Sequence, residues 1–137
     1  MGQKTSLERY GNKGTALGHV RGLGSAHGGT HHWLVQRFTA VGNLLLVGFL
    51  VISLVLLPNY SYATVRSWME QPVPAAALAL ICVNTFWHAR IGLQVLIEDY
   101  LDQPGSKLAA LIALNVAVFG GAAFGLVSIA RIALGAA

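Results

Sequence analysis

Three long stretches with few or no charged residues constrain this chain more than any other feature of its sequence. Residues 38–65 and 108–130 contain no Asp, Glu, Lys or Arg, and a third apolar stretch follows Pro72. A helix needs about 20 apolar residues to cross the hydrocarbon core of a bilayer. The sequence therefore predicts an all-α integral membrane protein with three transmembrane helices, at about residues 33–57, 73–102 and 107–134.

The composition supports lipid as the surrounding solvent and excludes several classes of function. Hydrophobic residues make up 55% of the 137 residues and charged residues 10%, whereas roughly a quarter of the residues in a soluble domain are charged. The single cysteine, Cys82, excludes an internal disulfide framework and a cysteine-based zinc site. No basic patch interleaved with aromatic residues is present, which argues against nucleic-acid binding.

The segment ahead of the first span differs from the rest of the chain. Residues 1–30 hold eight of the sixteen glycines and are predicted to form a flexible leader, followed by a membrane anchor domain at 31–137. Five of the nine cationic residues also precede the first apolar stretch: Lys4, Arg9, Lys13, Arg21 and Arg37. Because cytoplasmic segments carry an excess of Lys and Arg, we expect the N-terminus in the cytoplasm, or on the matrix side of a mitochondrial membrane.

His88 is an ionisable residue deep in the second predicted span. On a helix, Asp99 returns to within about 20° of the same face, about 16 Å further along the axis. If Asp99 marks the headgroup level, His88 lies near the middle of the bilayer. Gly92 follows one turn later and leaves room for a flat ring, as an axial haem ligand requires. The alternative is a histidine hydrogen-bonded to Asn84 or to a neighbouring helix, and the residues alone leave both open.

A haem bound by His88 would need a second axial ligand from another chain. The other four histidines lie outside the predicted spans: His19, His27, His31 and His32. The third span also indicates close association, because a small residue occupies every fourth position: Ala109, Ala113, Ala117, Gly121 and Gly125. This pattern lets membrane helices approach closely, and it does not identify the partner helix.

Other polar residues of the spans each have a structural and a functional interpretation. For Arg90 we favour a structural one, in which it snorkels to the cytoplasmic interface or pairs with Glu98, about two turns away, through the turn at Gln94. Arg37 is an interfacial anchor, or a guanidinium that clamps a propionate or a carboxylate near a quinone. Tyr100 is an interfacial aromatic residue, or, beside Asp99, a hydroxyl that holds a quinone carbonyl.

The sequence from His88 to Tyr100 reads HARIGLQVLIEDY. Its His, the Gly four positions on and the Asp-Tyr at eleven and twelve closely resemble the second-helix motif of the cytochrome b small membrane anchor subunit of succinate dehydrogenase, respiratory complex II. Residues 31–40, HHWLVQRFTA, look like the start of helix one in that family, particularly in its alphaproteobacterial and mitochondrial branch. The resemblance covers about residues 25–130, without the leader up to about Leu23.

The resemblance implies roles for four residues of this chain. His88 would be one axial ligand of haem b, with the other supplied by the larger cytochrome b556 anchor chain. Tyr100 would hydrogen-bond ubiquinone, and Asp99 would tune that tyrosine or lie on the proton-entry route. Arg37 would face a haem propionate near the quinone pocket.

The resemblance also implies a non-autonomous subunit without catalytic activity of its own, in the bacterial cytoplasmic (inner) membrane. FAD and the iron–sulfur clusters would belong to the flavoprotein and iron–sulfur subunits, and the complex would link the tricarboxylic acid cycle to the respiratory chain. Whether the whole complex forms a trimer stays open. The alternatives are a fumarate reductase anchor, a small membrane transporter in which His88 and Arg90 line a proton path, and a structural membrane subunit without haem.

Overall fold

A computed structural model describes residues 29–135 and shows four helices and no strand within that range. The helices are α1 (Gly29–Val55), α2 (Tyr62–Met69), α3 (Pro72–Tyr100) and α4 (Pro104–Ala133). Of these, α1, α3 and α4 are long and apolar enough to cross a membrane. The prediction of an all-α membrane protein with three spans is confirmed. The predicted leader, residues 1–30, lies almost wholly outside the described residues, so its boundary stays a prediction.

The helix ends differ from the predicted ones by one to four residues. Both α3 and α4 begin at a proline, Pro72 and Pro104, because proline suits the first helical turn, where its missing N–H is not needed. The first helix begins at Gly29 and ends at Val55, rather than at 33 and 57. Hydropathy locates the part of a helix that lies in lipid. The helix itself can begin or end elsewhere, because its backbone hydrogen bonds do not depend on the hydropathy of the side chains.

The connection between the first two spans contains a helix that the sequence analysis missed. Ser61 caps α2, since its hydroxyl accepts a hydrogen bond from the backbone N–H of Thr64 at 3.3 Å. Trp68 is buried, and its indole N–H donates to Ser53 Oγ of α1 at 2.7 Å. The Ser61 cap was the available signal, because serine is a preferred N-cap residue.

A small polar cluster lies on the surface of α2. Arg66 donates from Nε to Glu70 Oε1 at 3.0 Å and from Nη1 to Tyr62 Oη at 3.2 Å. The hydrogen bond with Tyr62 is the largest cause that raises the pKa of Arg66, and the hydrogen bond with Glu70 is the second. The guanidinium therefore stays charged at this end of the spans.

The closest helix pair in the described region is α3 with α4. A Cβ atom at Gly121 would lie 2.6 Å from Phe86 of α3, and one at Gly125 would lie 2.7 Å from the sulfur of Cys82. The predicted tight packing of the small-residue face is confirmed at these two positions, and the structure identifies the partner as α3 of the same chain. Most other span surfaces are exposed, as Phe124 shows with 78% exposure.

Candidate functional site

Polar side chains join α1 to α3 within the spans. Asn84 Nδ2 donates to the backbone carbonyl of Thr39 and to Asn43 Oδ1, both at 2.8 Å. Thr85 Oγ1 donates to the same Asn43 oxygen at 3.2 Å. Gly42 allows this approach, since a Cβ there would lie 3.0 Å from the Asn84 amide nitrogen. Interhelical hydrogen bonds of this kind stabilise helix pairs in lipid, where polar groups have no water to bind.

His88 lies one turn beyond Asn84 on α3 and faces the same neighbour. Its Nδ1 is 2.9 Å from the hydroxyl oxygen of Thr39 on α1. Within residues 29–135, no hydrogen bond reaches its other ring nitrogen, Nε2. Of the structural alternatives for His88, a bond to Asn84 is wrong and a bond to a neighbouring helix is confirmed. That bond uses one nitrogen only, so it leaves the haem-ligand prediction for His88 untested.

The face of α3 beyond His88 is open. Gly92 lies one turn further and is exposed, and a Cβ added there would meet only Gln36 Nε2, at 3.6 Å. The amide oxygen of Gln36, Oε1, is buried and has no hydrogen-bond partner among the described residues. Sequence analysis did not single out Gln36 or Thr39, because neither carries a charge and neither belongs to a ligand motif.

The contacts between α1 and α3 fix their relative direction. Thr39 meets His88, while Asn43, further along α1, meets Asn84, which lies earlier on α3. The two helices are therefore antiparallel, and the start of α1 lies on the same side as the end of α3. In this register Arg37 lies about half a turn, or about 3 Å along the axis, from the level of His88, toward the end of α3.

The remaining predicted site residues do not contact His88 in the described structure. Arg37 is exposed, and its guanidinium carbon lies 5.3 Å from the ring centroid of Trp33. Asp99 and Tyr100 form the last residues of α3, and Tyr100 is 79% exposed. Since α3 is continuous from Pro72 to Tyr100, the predicted axial separation of about 16 Å between His88 and Asp99 holds.

Arg90 has a different partner from the predicted one. Its Nε donates to Asn115 Oδ1 of α4 at 2.7 Å, and its guanidinium carbon lies 5.5 Å from the Trp87 ring centroid and 5.9 Å from that of Phe119. Glu98 instead accepts a hydrogen bond from the glutamine one turn earlier on its own helix. The predicted pairing of Arg90 with Glu98 is therefore wrong, because the close approach of α4 brings an amide oxygen within reach.

Comparison with known families decides where this chain belongs. A family model described as the succinate dehydrogenase/fumarate reductase transmembrane subunit matches residues 11–124. The chain belongs to this family. The matched range begins inside the leader, ahead of the residues on which the sequence-based resemblance rested. The membership identifies the chain as an integral membrane subunit of an oxidoreductase complex.

Individual relatives agree with the family. A protein of Paracoccus denitrificans named succinate dehydrogenase hydrophobic membrane anchor subunit is 32% identical over 119 residues, which cover 85% of this chain and 90% of the relative. The protein of the same name from Rickettsia bellii is 31% identical over 98 residues, 71% of this chain and 78% of the relative. No solved structure gives a significant match. The resemblance to the succinate dehydrogenase membrane anchor is thereby confirmed, and the transporter alternative is dropped.

Proposed function

We propose that this chain, as a membrane anchor of succinate dehydrogenase, contributes one axial ligand of a shared haem b and part of the site that reduces ubiquinone. The observation that carries the haem proposal is the hydrogen bonding of His88. Its Nδ1 is bonded to Thr39, and its Nε2 has no hydrogen-bond partner within residues 29–135. A neutral imidazole with one nitrogen hydrogen-bonded and the other available is the usual form of a histidine that binds a metal.

The surroundings of His88 fit a flat prosthetic group. Gly92 presents no side chain one turn away, and the buried Gln36 Oε1 lacks a hydrogen-bond donor. When bound, the haem supplies one-electron chemistry, while the protein supplies the ligand, its orientation and an apolar setting. Of the histidines within the described helices, His31 and His32 lie in the first turn of α1 and His88 lies well inside a span. We therefore assign the second axial ligand to the cytochrome b556 anchor chain.

The ubiquinone proposal rests on the end of α3. Tyr100 is exposed and directly follows the exposed Asp99 in the last turn of the helix. A phenol at this position can donate a hydrogen bond to a quinone carbonyl, and a neighbouring carboxylate in contact with water can relay the proton. Arg37 lies on the same side of the membrane as these two residues, between them and the level of His88, where a guanidinium suits a haem propionate.

The wider arrangement follows from the family and the charges. We place the N-terminus and the Tyr100 end of α3 on the cytoplasmic side of the bacterial inner membrane, because five of the nine cationic residues precede the first apolar stretch. The flavoprotein and iron–sulfur subunits, which hold FAD and the clusters, dock on that side and oxidise succinate. The complex thus joins the tricarboxylic acid cycle to the respiratory chain. The relatives' shared name favours succinate oxidation over fumarate reduction.

The haem proposal is tested by the spectrum of the complex, purified in mild detergent through a C-terminal tag on this chain. We expect a b-type α band in the dithionite-reduced minus oxidised spectrum, lost in His88→Ala and kept in the control His32→Ala. Retention of the band in His88→Ala would overturn the ligand assignment. A wild-type complex without the band would leave an anchor subunit that binds no haem.

The quinone proposal is tested by separating two activities of the same complex. Tyr100→Phe is expected to raise the KM for ubiquinone about tenfold, the order of magnitude for one hydrogen bond. Succinate oxidation with an artificial acceptor at the soluble subunits should stay unchanged. Tyr60→Phe is the matched control, because Tyr60 is 69% exposed at the opposite end of the spans. Equal ubiquinone kinetics for both variants would exclude a role of the Tyr100 hydroxyl.

A further inference from the structure

We propose that Thr39 is a positioning residue, whose hydroxyl holds His88 in the tautomer that is protonated on Nδ1 and so keeps the Nε2 lone pair available to iron. This inference rests on the proposed role of His88 as a haem ligand. It assigns a task to a residue that carries no charge and lies on a different helix from the ligand.

The geometry around the Thr39 hydroxyl determines where its proton lies. The oxygen Oγ1 is 2.9 Å from the carbonyl oxygen of Val35 and 3.1 Å from that of Gln36, both on α1. It is also 2.9 Å from His88 Nδ1. A hydroxyl has one proton and two lone pairs, and carbonyl oxygens can only accept. The proton therefore points to the two carbonyls, and Oγ1 accepts a hydrogen bond from a protonated Nδ1.

The opposite tautomer would leave a repulsive contact in a buried place. If the hydroxyl donated to an unprotonated Nδ1 of His88, the Thr39 oxygen would face the carbonyl oxygens of Val35 and Gln36 without a proton between them. Thr39 is buried, with 9% of its surface exposed. Such an approach of oxygen atoms is unfavourable at membrane depth, where no water molecule can separate them or supply the missing hydrogen bond.

The position of Thr39 is itself fixed by the helix pair. Its backbone carbonyl accepts a hydrogen bond from Asn84 Nδ2 at 2.8 Å, one turn from His88 on the same helix. Threonine is β-branched, so its side chain has few rotamers within a helix. The hydroxyl is therefore presented to the imidazole by a rigid support.

This hydrogen bond has a chemical consequence for a metal bound at Nε2. A partner on the second ring nitrogen fixes the tautomer and the ring orientation and raises the basicity of the ligating nitrogen. A more basic ligand stabilises the more highly charged ferric iron relative to the ferrous iron. Without the Thr39 hydroxyl, the haem reduction potential should therefore rise, and the His88 ring should be less firmly oriented.

The test compares Thr39→Val with a matched control in the complete complex. Valine keeps the β-branched shape and removes the hydroxyl. The control, Thr85→Val, removes an α1–α3 hydrogen bond to Asn43 that does not involve His88. We expect Thr39→Val to lose haem about tenfold faster than wild type, the lower end of the usual effect of losing such a partner. Its haem midpoint potential should rise and its ferric electron paramagnetic resonance spectrum should shift.

Thr39→Ser restores the hydroxyl and should restore all three readouts, while Thr85→Val should match wild type. Unchanged potential and spectrum in Thr39→Val would overturn the proposal, and so would equal changes in both valine variants. If Thr39→Val does not accumulate, Thr39→Ala and Thr39→Cys take its place. Failure of all three to assemble while Thr39→Ser assembles would assign the hydroxyl to helix packing and would also overturn it. Failure of the proposed haem-ligand role of His88 is distinguishable, because His88→Ala would then retain its haem.

Discussion

Replacement of Gly121 by alanine should weaken the packing of α3 against α4. The added Cβ would lie 2.6 Å from Phe86 Cε1 and 2.7 Å from Cζ, far inside van der Waals contact. The ring tip must therefore retreat by roughly 0.8 Å, through a strained rotamer or a wider gap between the helices. Overpacking of this kind costs about 1–3 kcal/mol.

The neighbouring residue provides a matched control for this prediction. A Cβ at Gly120 has no atom within 4 Å, so Gly120→Ala adds a methyl group without a clash. Both substitutions gain the same intrinsic helix preference of alanine over glycine, about 1 kcal/mol, so this gain cancels in the comparison. Gly121→Ala should therefore be less stable than Gly120→Ala by about 1–3 kcal/mol, roughly a five- to 150-fold difference in the folding equilibrium constant.

The assay is SDS-induced unfolding of the purified chain in mild-detergent micelles, followed by tryptophan fluorescence. Trp68 is buried in the folded chain, so its exposure reports unfolding. Adding Phe86→Leu to Gly121→Ala removes the ring tip and should recover part of the lost stability, which identifies the clash as the cause. Equal midpoints for Gly121→Ala and Gly120→Ala would refute the inferred contact between α3 and α4.

Three further substitutions test other contacts. Asn84→Leu removes two interhelical hydrogen bonds and should destabilise the chain by about 1–2 kcal/mol in the same SDS assay; no loss would show that these bonds do not hold α1 to α3. Asn115→Ala leaves the partly buried Arg90 guanidinium without its amide acceptor, so it should reduce stability more than Arg90→Leu, which removes the charge altogether; the reverse order of unfolding midpoints would contradict this. Glu70→Gln should leave the unfolding midpoint unchanged, because its ion pair with Arg66 lies on the surface, and a clear shift would show that this pair stabilises α2.

The site was only partly visible in the sequence. The His88, Gly92, Asp99 and Tyr100 spacing could be placed on one continuous helix, because the rise and turn of an α-helix are fixed. The hydrogen-bond partner of His88 could not be predicted, since Thr39 lies 49 positions away on a helix whose rotation and depth were unknown. The placement of Gln36 next to Gly92 of α3 depends on the same unknown rotation of α1.

The sequence by itself determined the three spans and their approximate ends. Lipid requires a long apolar helix, so hydropathy, charge and prolines such as Pro72 and Pro104 are sufficient to locate each span. It also indicated the family, through two short segments, residues 88–100 and 31–40, each of which lies within one helix. Both kinds of information are local along the chain.

Only the tertiary structure decided which side chains meet between helices. It brought Thr39 to His88, Asn115 to Arg90 and Phe86 to Gly121, and it replaced the predicted Arg90–Glu98 pair. In water, the buried face of a helix stands out as the apolar one. In a membrane, lipid-facing and helix-facing surfaces are both apolar, so the sequence pattern carries little information about helix rotation, and close packing with a few hydrogen bonds selects the neighbours.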